Sequence, residues 1–221
     1  SCGRDSAFVQ EVPEPKAKEE YQVPRHRQRA ALAKNLSTTV RQTVDILFVV
    51  DNSGSMGRHQ MFLSQNTDKF ITQFTAQAGL KWKIGMISTT LNQYPYLGFG
   101  GTSGELNQTT PAPVPIFQSA VGRLGTSGSG TEMTFDPVIY SLNGHPGFLR
   151  KDAFLALIII TDDDEQSYGY NSERFIQKIA DLKGGNPNLL LTYGLFASTE
   201  NCQADFTYQG SEYQRFIQLT A

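Results

Sequence analysis

Cysteine is nearly absent from this 221-residue chain: Cys2 and Cys202 are the only two, and they stand near opposite ends. A bridge between them would have to staple a flexible lead-in to the far end of the chain, so a disulfide framework is disfavoured. Histidine is also scarce, and His26, His59 and His145 do not pair by spacing with a Cys or Glu as a zinc or catalytic site requires. No apolar run approaches the length of about 18 residues that a membrane-spanning helix needs. The longest, Ala153 to Ile160, has the length of a strand. Net charge is only −2, but the first 42 residues hold eight of the 19 Lys and Arg against five acids, which leaves eleven bases against sixteen acids in the rest. An acidic body has no positive stripe for phosphates, so a nucleic-acid partner is excluded.

What is present divides in two. Residues 1–42 are polar, carry Pro13, Pro15 and Pro24, and show no sustained apolar period beyond a short helix around Gln28 to Leu36, which suits a flexible N-terminal tether. From residue 43 to 221 the pattern changes. Val44 to Val50 is a β-branched and aromatic run of the kind buried on both faces of a sheet. Leu63, Phe70, Ile71 and Phe74 then fall at helical spacing and stop at Gly79. Trp82 to Ser88 reads as a second strand. Leu91 to Gly130 is a long Gly-, Pro- and Ser-rich stretch with one short helix near Phe117 to Leu124. Val138 to Leu142 closes another short helix, Leu155 to Thr161 is a third strand, and Phe175, Ile176, Ile179 and Ala180 mark a helix ended by Gly184-Gly185. Leu189 to Phe196 is a fourth strand, and Tyr213, Phe216 and Ile217 suggest a last helix. Strands alternating with helices imply an α/β fold: a doubly wound, mostly parallel sheet flanked by helices.

In such a sheet, ligands bind at the carboxyl ends of the strands. Asp51, Ser53 and Ser55 follow the first strand, and Asp162 follows Leu155 to Thr161, so two acids and two hydroxyls share one rim although far apart in sequence. Hard cations such as Mg2+ take oxygen ligands, and Ser53 and Ser55, either side of Gly54, can turn both hydroxyls toward one point. The plainer reading makes Asp51 a cap for the next helix and lets the serines satisfy backbone amides. Tyr94, Tyr96, Phe99 and Phe117 either line a partner surface or anchor the long stretch to the core, the second being favoured.

Asp51-Asn52-Ser53-Gly54-Ser55 after an apolar strand, the glycine and threonine loop Gly128-Ser129-Gly130-Thr131-Glu132, and Thr161-Asp162 after a later strand together resemble the metal-ion-dependent adhesion site of von Willebrand factor type A domains. The resemblance spans Val44 to Ala221 and implies a three-layer, Rossmann-like fold. It also implies a site for Mg2+, or Mn2+ or Ca2+, held by Asp51, Ser53, Ser55, Thr131 and Asp162, with a partner's carboxylate filling the last position. Thr126 and Glu132 remain alternatives for the middle-loop ligand. The family usually follows the late acid with glycine. Here Asp163, Asp164 and Glu165 follow, either raising local cation affinity or forming a solvated acidic turn.

A narrower resemblance, carried by Pro146-Gly147-Phe148-Leu149-Arg150-Lys151-Asp152-Ala153 and by Asp162 to Ser167, is to bacterial surface or secreted lipoproteins containing this domain. Ser1-Cys2-Gly3 is similar to the start of a mature bacterial lipoprotein, which implies lipid attachment at Cys2; an ordinary tail cysteine is the alternative. The same resemblance implies a domain truncated at its C-terminal end, with a further cysteine that pairs with Cys202. The expectation is a non-enzymatic, cation-dependent module of the cell envelope, in an outer-membrane lipoprotein facing the periplasm or the surface. Its partner would be a protein offering an Asp or Glu carboxylate, with membrane contact only through the lipid anchor. A metal-dependent hydrolase or phosphotransferase is the alternative, though the position two after Asp51 is a serine and the loop has no Lys or Arg. A metal-free scaffold subunit of an envelope complex is another.

Overall fold

The run Thr43–Val50 (β1) is apolar almost throughout because both its faces are covered: Ile46, Leu47, Val49 and Val50 have no exposed surface. In this computed structural model, residues 43–77, 79–91, 105–196 and 210–220 are described. The chain separates into two units at Arg41 and Gln42. The expected tether, its short helix, Cys2, Tyr94, Tyr96, Phe99 and Cys202 lie outside the described residues.

After β1 come a single 3-10 turn at Gly54–Met56 and the helix Gly57–Thr75 (α1). Strand Lys81–Ser88 (β2), the two-residue strand Leu106–Asn107 (β3) and helix Pro113–Leu124 (α2) follow. Helix Phe135–Gly144 (α3), strand Phe154–Ile160 (β4), helix Ser172–Leu182 (α4), a 3-10 turn at Pro187–Leu189, strand Leu190–Leu195 (β5) and helix Ser211–Thr220 (α5) complete the described elements. They form a five-stranded sheet in the order β3-β2-β1-β4-β5, parallel except for β3. The expected α/β class with a mostly parallel sheet is therefore correct. Two details differ. The stretch Leu91 to Gly130 contributes an antiparallel edge strand, and α2 begins four residues earlier than expected, with Pro113 in its first turn, where a missing N–H costs nothing.

Side chains alternate along β1. Ile46, Phe48 and Val50 join Trp82, Ile84 and Met86 under α1 and α2, where Phe117 is fully enclosed and stands edge-on to Phe48 at 4.9 Å. Leu47 and Val49 face the other way, toward Phe135 and Val138 of α3, Phe175 and Ile179 of α4, and Tyr213 and Phe216 of α5. Helices thus cover both faces, the three-layer arrangement that its apolar strands require.

The amino-terminal end of the sheet is closed by charge. Asp45, fully buried on β1, accepts from Arg150 Nε at 2.6 Å and from the Arg150 backbone N–H at 2.7 Å. Lys183 Nζ stands 3.8 Å from the same carboxylate and donates to the carbonyls of Arg150 and Ala153. Lys83 lies over the Phe148 ring and donates to the Gly147 carbonyl. The Pro146 to Ala153 segment is therefore the floor of this end, tied to β1, β2 and β4.

Candidate functional site

β1 and β4 are adjacent and parallel, with Val50 paired to Ile160, so the residues that follow them emerge side by side. The Asp51 backbone N–H donates to the Ile160 carbonyl at 2.9 Å, which carries the pairing one step past the strands. Asp51 is fully buried. Its Oδ1 accepts from the Ser53 backbone N–H at 2.7 Å and its Oδ2 from the Thr161 hydroxyl at 2.8 Å. The first bond closes a turn within the loop and does not cap the next helix, whose N-cap is Met56, and the second reaches 110 residues along the chain, so the plainer capping role is not what Asp51 does. Ser53 Oγ and Ser55 Oγ face each other at 3.1 Å instead of serving backbone amides. Gln60 from α1 donates to the carbonyls of Asp51 and Gly125, which pins the loop from beneath.

Asp162 joins this group. It is 3% exposed, Ser55 hydrogen-bonds to it, and its Oδ1 is buried with no hydrogen-bond partner among the described residues. Burial raises its pKa and the Asp51 charge raises it further, against the Ser55 hydrogen bond and the His59 charge. A buried carboxylate oxygen left without a donor costs on the order of 1–3 kcal/mol or more. A hard cation would remove that cost, and hydroxyl and carboxylate oxygens are the donors such a cation selects. Among the described residues no three His, Cys, Asp or Glu side chains form a metal cage by themselves. A cation here would need the two serine hydroxyls as well, and the residues present fit one on those terms.

The middle loop reaches the site through Asn52. The Gly128 backbone N–H donates to the Asn52 carbonyl at 2.8 Å, and Asn52 Oδ1 accepts from the Thr90 hydroxyl at 2.8 Å. Thr90 in turn accepts from the Ser129 N–H at 3.1 Å. A side chain at 128 would collide with Asn52, its Cβ falling 2.2 Å from Oδ1, so only glycine allows this approach. Thr131 lies half-buried in this loop, its N–H donating to Ser129 Oγ. Thr126 is exposed, and its methyl would stand 3.7 Å from a Cβ at Gly57.

Glu132, one of the alternatives for the middle-loop ligand, turns inward to contacts that the sequence did not indicate. It is 1% exposed and accepts from the Thr89 hydroxyl at 2.6 Å. Burial pushes its carboxyl up to about 8; the Asp51 charge and a hydrogen bond to Asp51 act in the same direction, and the Thr89 bond opposes them. Asp163 is raised too, by burial first and then by the charges of Asp162, Asp51 and Asp164. Thr89 and Thr90 directly follow β2, so the rule that located Asp51 and Asp162 applied to that strand end would have found them.

Of the acids after Asp162, Asp164 and Glu165 are committed to the chain's own donors, so they are not simply a solvated turn. Asp164 accepts from the backbone N–H groups of Ser211 and Glu212, at 3.0 Å each, and from the Ser211 hydroxyl, capping α5. Glu165 accepts from the N–H of Thr134 at the start of α3 and from the N–H of Ser167 in its own loop, and burial raises its carboxyl to about 7. Tyr168 is left 84% exposed on the rim. His59 and His145 are half-buried, the latter holding the end of α3 through Ser141.

No protein-family model and no curated protein matches the chain. Among solved structures it is similar to a von Willebrand factor type A protein from Catenulispora acidiphila, at 16% identity over 81% of this chain and 42% of that one, TM-score 0.44. It is similar to the pilus adhesin SpaC from Lactobacillus rhamnosus GG, at 15% identity over 82% and 27% of the two chains, TM-score 0.45. It is also similar to the SpRpn10 VWA domain, at 13% identity over 81% and 82%, TM-score 0.41. The chain spans less than half the length of the first two.

Proposed function

We propose that this chain is a divalent-cation-dependent protein-binding module that grips an acidic group of its partner through the metal. The observation that carries the reading is the buried Asp162 Oδ1, without a hydrogen-bond partner among the described residues, beside two serine hydroxyls that face each other. Ser53 and Ser55 would hold the cation by their hydroxyls, and Asp51 and Asp162 by carboxylate oxygens directly or through water, with Thr131 reaching it from the middle loop. Mg2+ is the first candidate, with Mn2+ and Ca2+ behind it. The cation supplies a Lewis-acidic position for an Asp or Glu carboxylate of a protein partner. The rim around it, including the exposed Tyr168, sets which partner fits.

The setting that goes with this reading is the bacterial cell envelope, with the domain carried on the 1–42 segment and anchored by lipid at Cys2. The reading assigns no catalytic residue. Calorimetry with Mg2+ and Mn2+, followed by capture from cell-surface extract with Mg2+ and then with EDTA, tests it. Binding heat and EDTA-sensitive capture are expected, both lost in Asp51→Ala and Ser53→Ala. Capture indifferent to EDTA and to both substitutions overturns it.

A further inference from the structure

Glu132 touches all three loops that leave the carboxyl ends of the inner strands. Its side chain accepts from Thr89, just past β2, at 2.6 Å and lies against the Asp51 carboxylate, just past β1. Its backbone carbonyl accepts from the Gln166 N–H at 2.9 Å, in the loop that follows β4 and carries Asp162. Both Glu132 and Thr89 are closed to solvent, so water cannot replace these bonds. Asp51 is otherwise held on one oxygen by its own loop and on the other by Thr161. Glu132 is a further contact to the same carboxylate and links it to β2.

Resting on the cation-site reading above, we propose that Glu132 is a positioning residue for the site: through Thr89 and Asp51 it fixes the Asp51 carboxylate relative to the Asp162 loop, without itself holding the metal. Such supporting contacts change metal affinity by roughly 10–100-fold when lost. A role through hydrogen bonding is separable from a role through charge. Glutamine at 132 can accept from Thr89 through its carbonyl and donate to Asp51 through its amide, keeping both bonds without the acid.

The test is calorimetric titration of the full chain with Mn2+ and with Mg2+, using wild type, Glu132→Gln, Glu132→Ala and Thr89→Val, with circular dichroism fixing the folded fraction. Glu132→Gln is expected to bind within about threefold of wild type. Glu132→Ala is expected to lose roughly 10–100-fold, and Thr89→Val, which is near-isosteric and safer for folding, several-fold. Equal loss in the Gln and Ala variants overturns the proposal in favour of a direct charged ligand. Unchanged affinity of the folded Ala and Val variants overturns it in favour of a purely structural acid. Wild type that binds no cation removes the site reading itself, and this inference with it.

Discussion

Asp45→Asn tests how much of the fold rests on the charged floor of the sheet. The change is nearly isosteric but deletes the only carboxylate that pairs with both Arg150 and Lys183 among the described ion pairs. Arg150 is 35% exposed at its side chain and can turn toward water; Lys183, at 0%, cannot. Breaking a buried pair from one side costs about 3–5 kcal/mol because the remaining charge stays buried. At roughly 2–4 °C per kcal/mol for a domain of this size, the melting temperature should fall by roughly 6–20 °C.

A pH signature accompanies the loss. Burial lowers the Lys183 pKa from 10.5 to about 8, with the charges of Arg150 and Lys83 adding to it and that of Asp45 opposing. Between about 8 and 10.5 the unfolded chain holds a proton that the folded chain has released, so this residue's contribution to stability rises with pH across that window. Without Asp45 the folded pKa drops further and the window opens earlier, so the variant's deficit narrows as pH approaches 8. Urea denaturation at pH 6, 7 and 8 reads both effects, and adding Lys183→Met should restore most of the loss. A deficit under about 1 kcal/mol, or a double variant as weak as the sum of the singles, refutes the argument. Cation binding should be untouched, since Asp45 and Asp51 are six residues, about 20 Å, apart along β1.

Gly128→Ala should destabilise by about 1–3 kcal/mol by driving a methyl into the buried Asn52 side chain, and should weaken Mg2+ binding by displacing the middle loop; an unchanged melting curve contradicts this. Thr161→Val removes the hydroxyl that holds Asp51 Oδ2, with cation affinity expected to fall roughly 10–100-fold by calorimetry while the fold persists. Asp164→Ala uncaps α5 and should cost about 1–2 kcal/mol in urea melts while leaving cation binding intact, because that carboxylate is committed to Ser211 and Glu212. Tyr168→Ala should change stability by less than about 0.5 kcal/mol yet weaken partner capture, which a pull-down at matched protein concentration would read.

The fold was legible because periodicity is local and strong here: β1 and β4 are apolar on both faces, and α4 carries its stripe at Phe175, Ile179 and Ala180. The convergence of Asp51, Ser53, Ser55 and Asp162 was legible for a topological reason, since adjacent parallel strands deliver their following residues to one rim. Pro113 misled because a proline reads as a loop signal until a helix is known to start there. Glu132 stayed one of three middle-loop alternatives because its environment is set by Thr89 and Asp51, 43 and 81 positions away, and nothing in Gly130-Thr131-Glu132 says which side chain turns inward. The role of Asp164 and Glu165 stayed open for the same reason: the amides of Glu212 and Thr134 that they bind lie at the starts of α5 and α3, and sequence spacing does not reveal a remote acceptor's donors.

Two aspartates sit on or just past the same strand, both sealed from solvent, and the protein treats them oppositely. At the Asp45 end it brings an arginine and a lysine of its own; at the Asp51 end it gathers Glu132, Asp162 and Asp163. The sheet is thus electrically finished at its base and unfinished at its crown. Under the proposed function, a cation at the crown would supply from solution the positive charge that Arg150 and Lys183 supply at the base, and dissolved salt would shorten the reach of any pull on it.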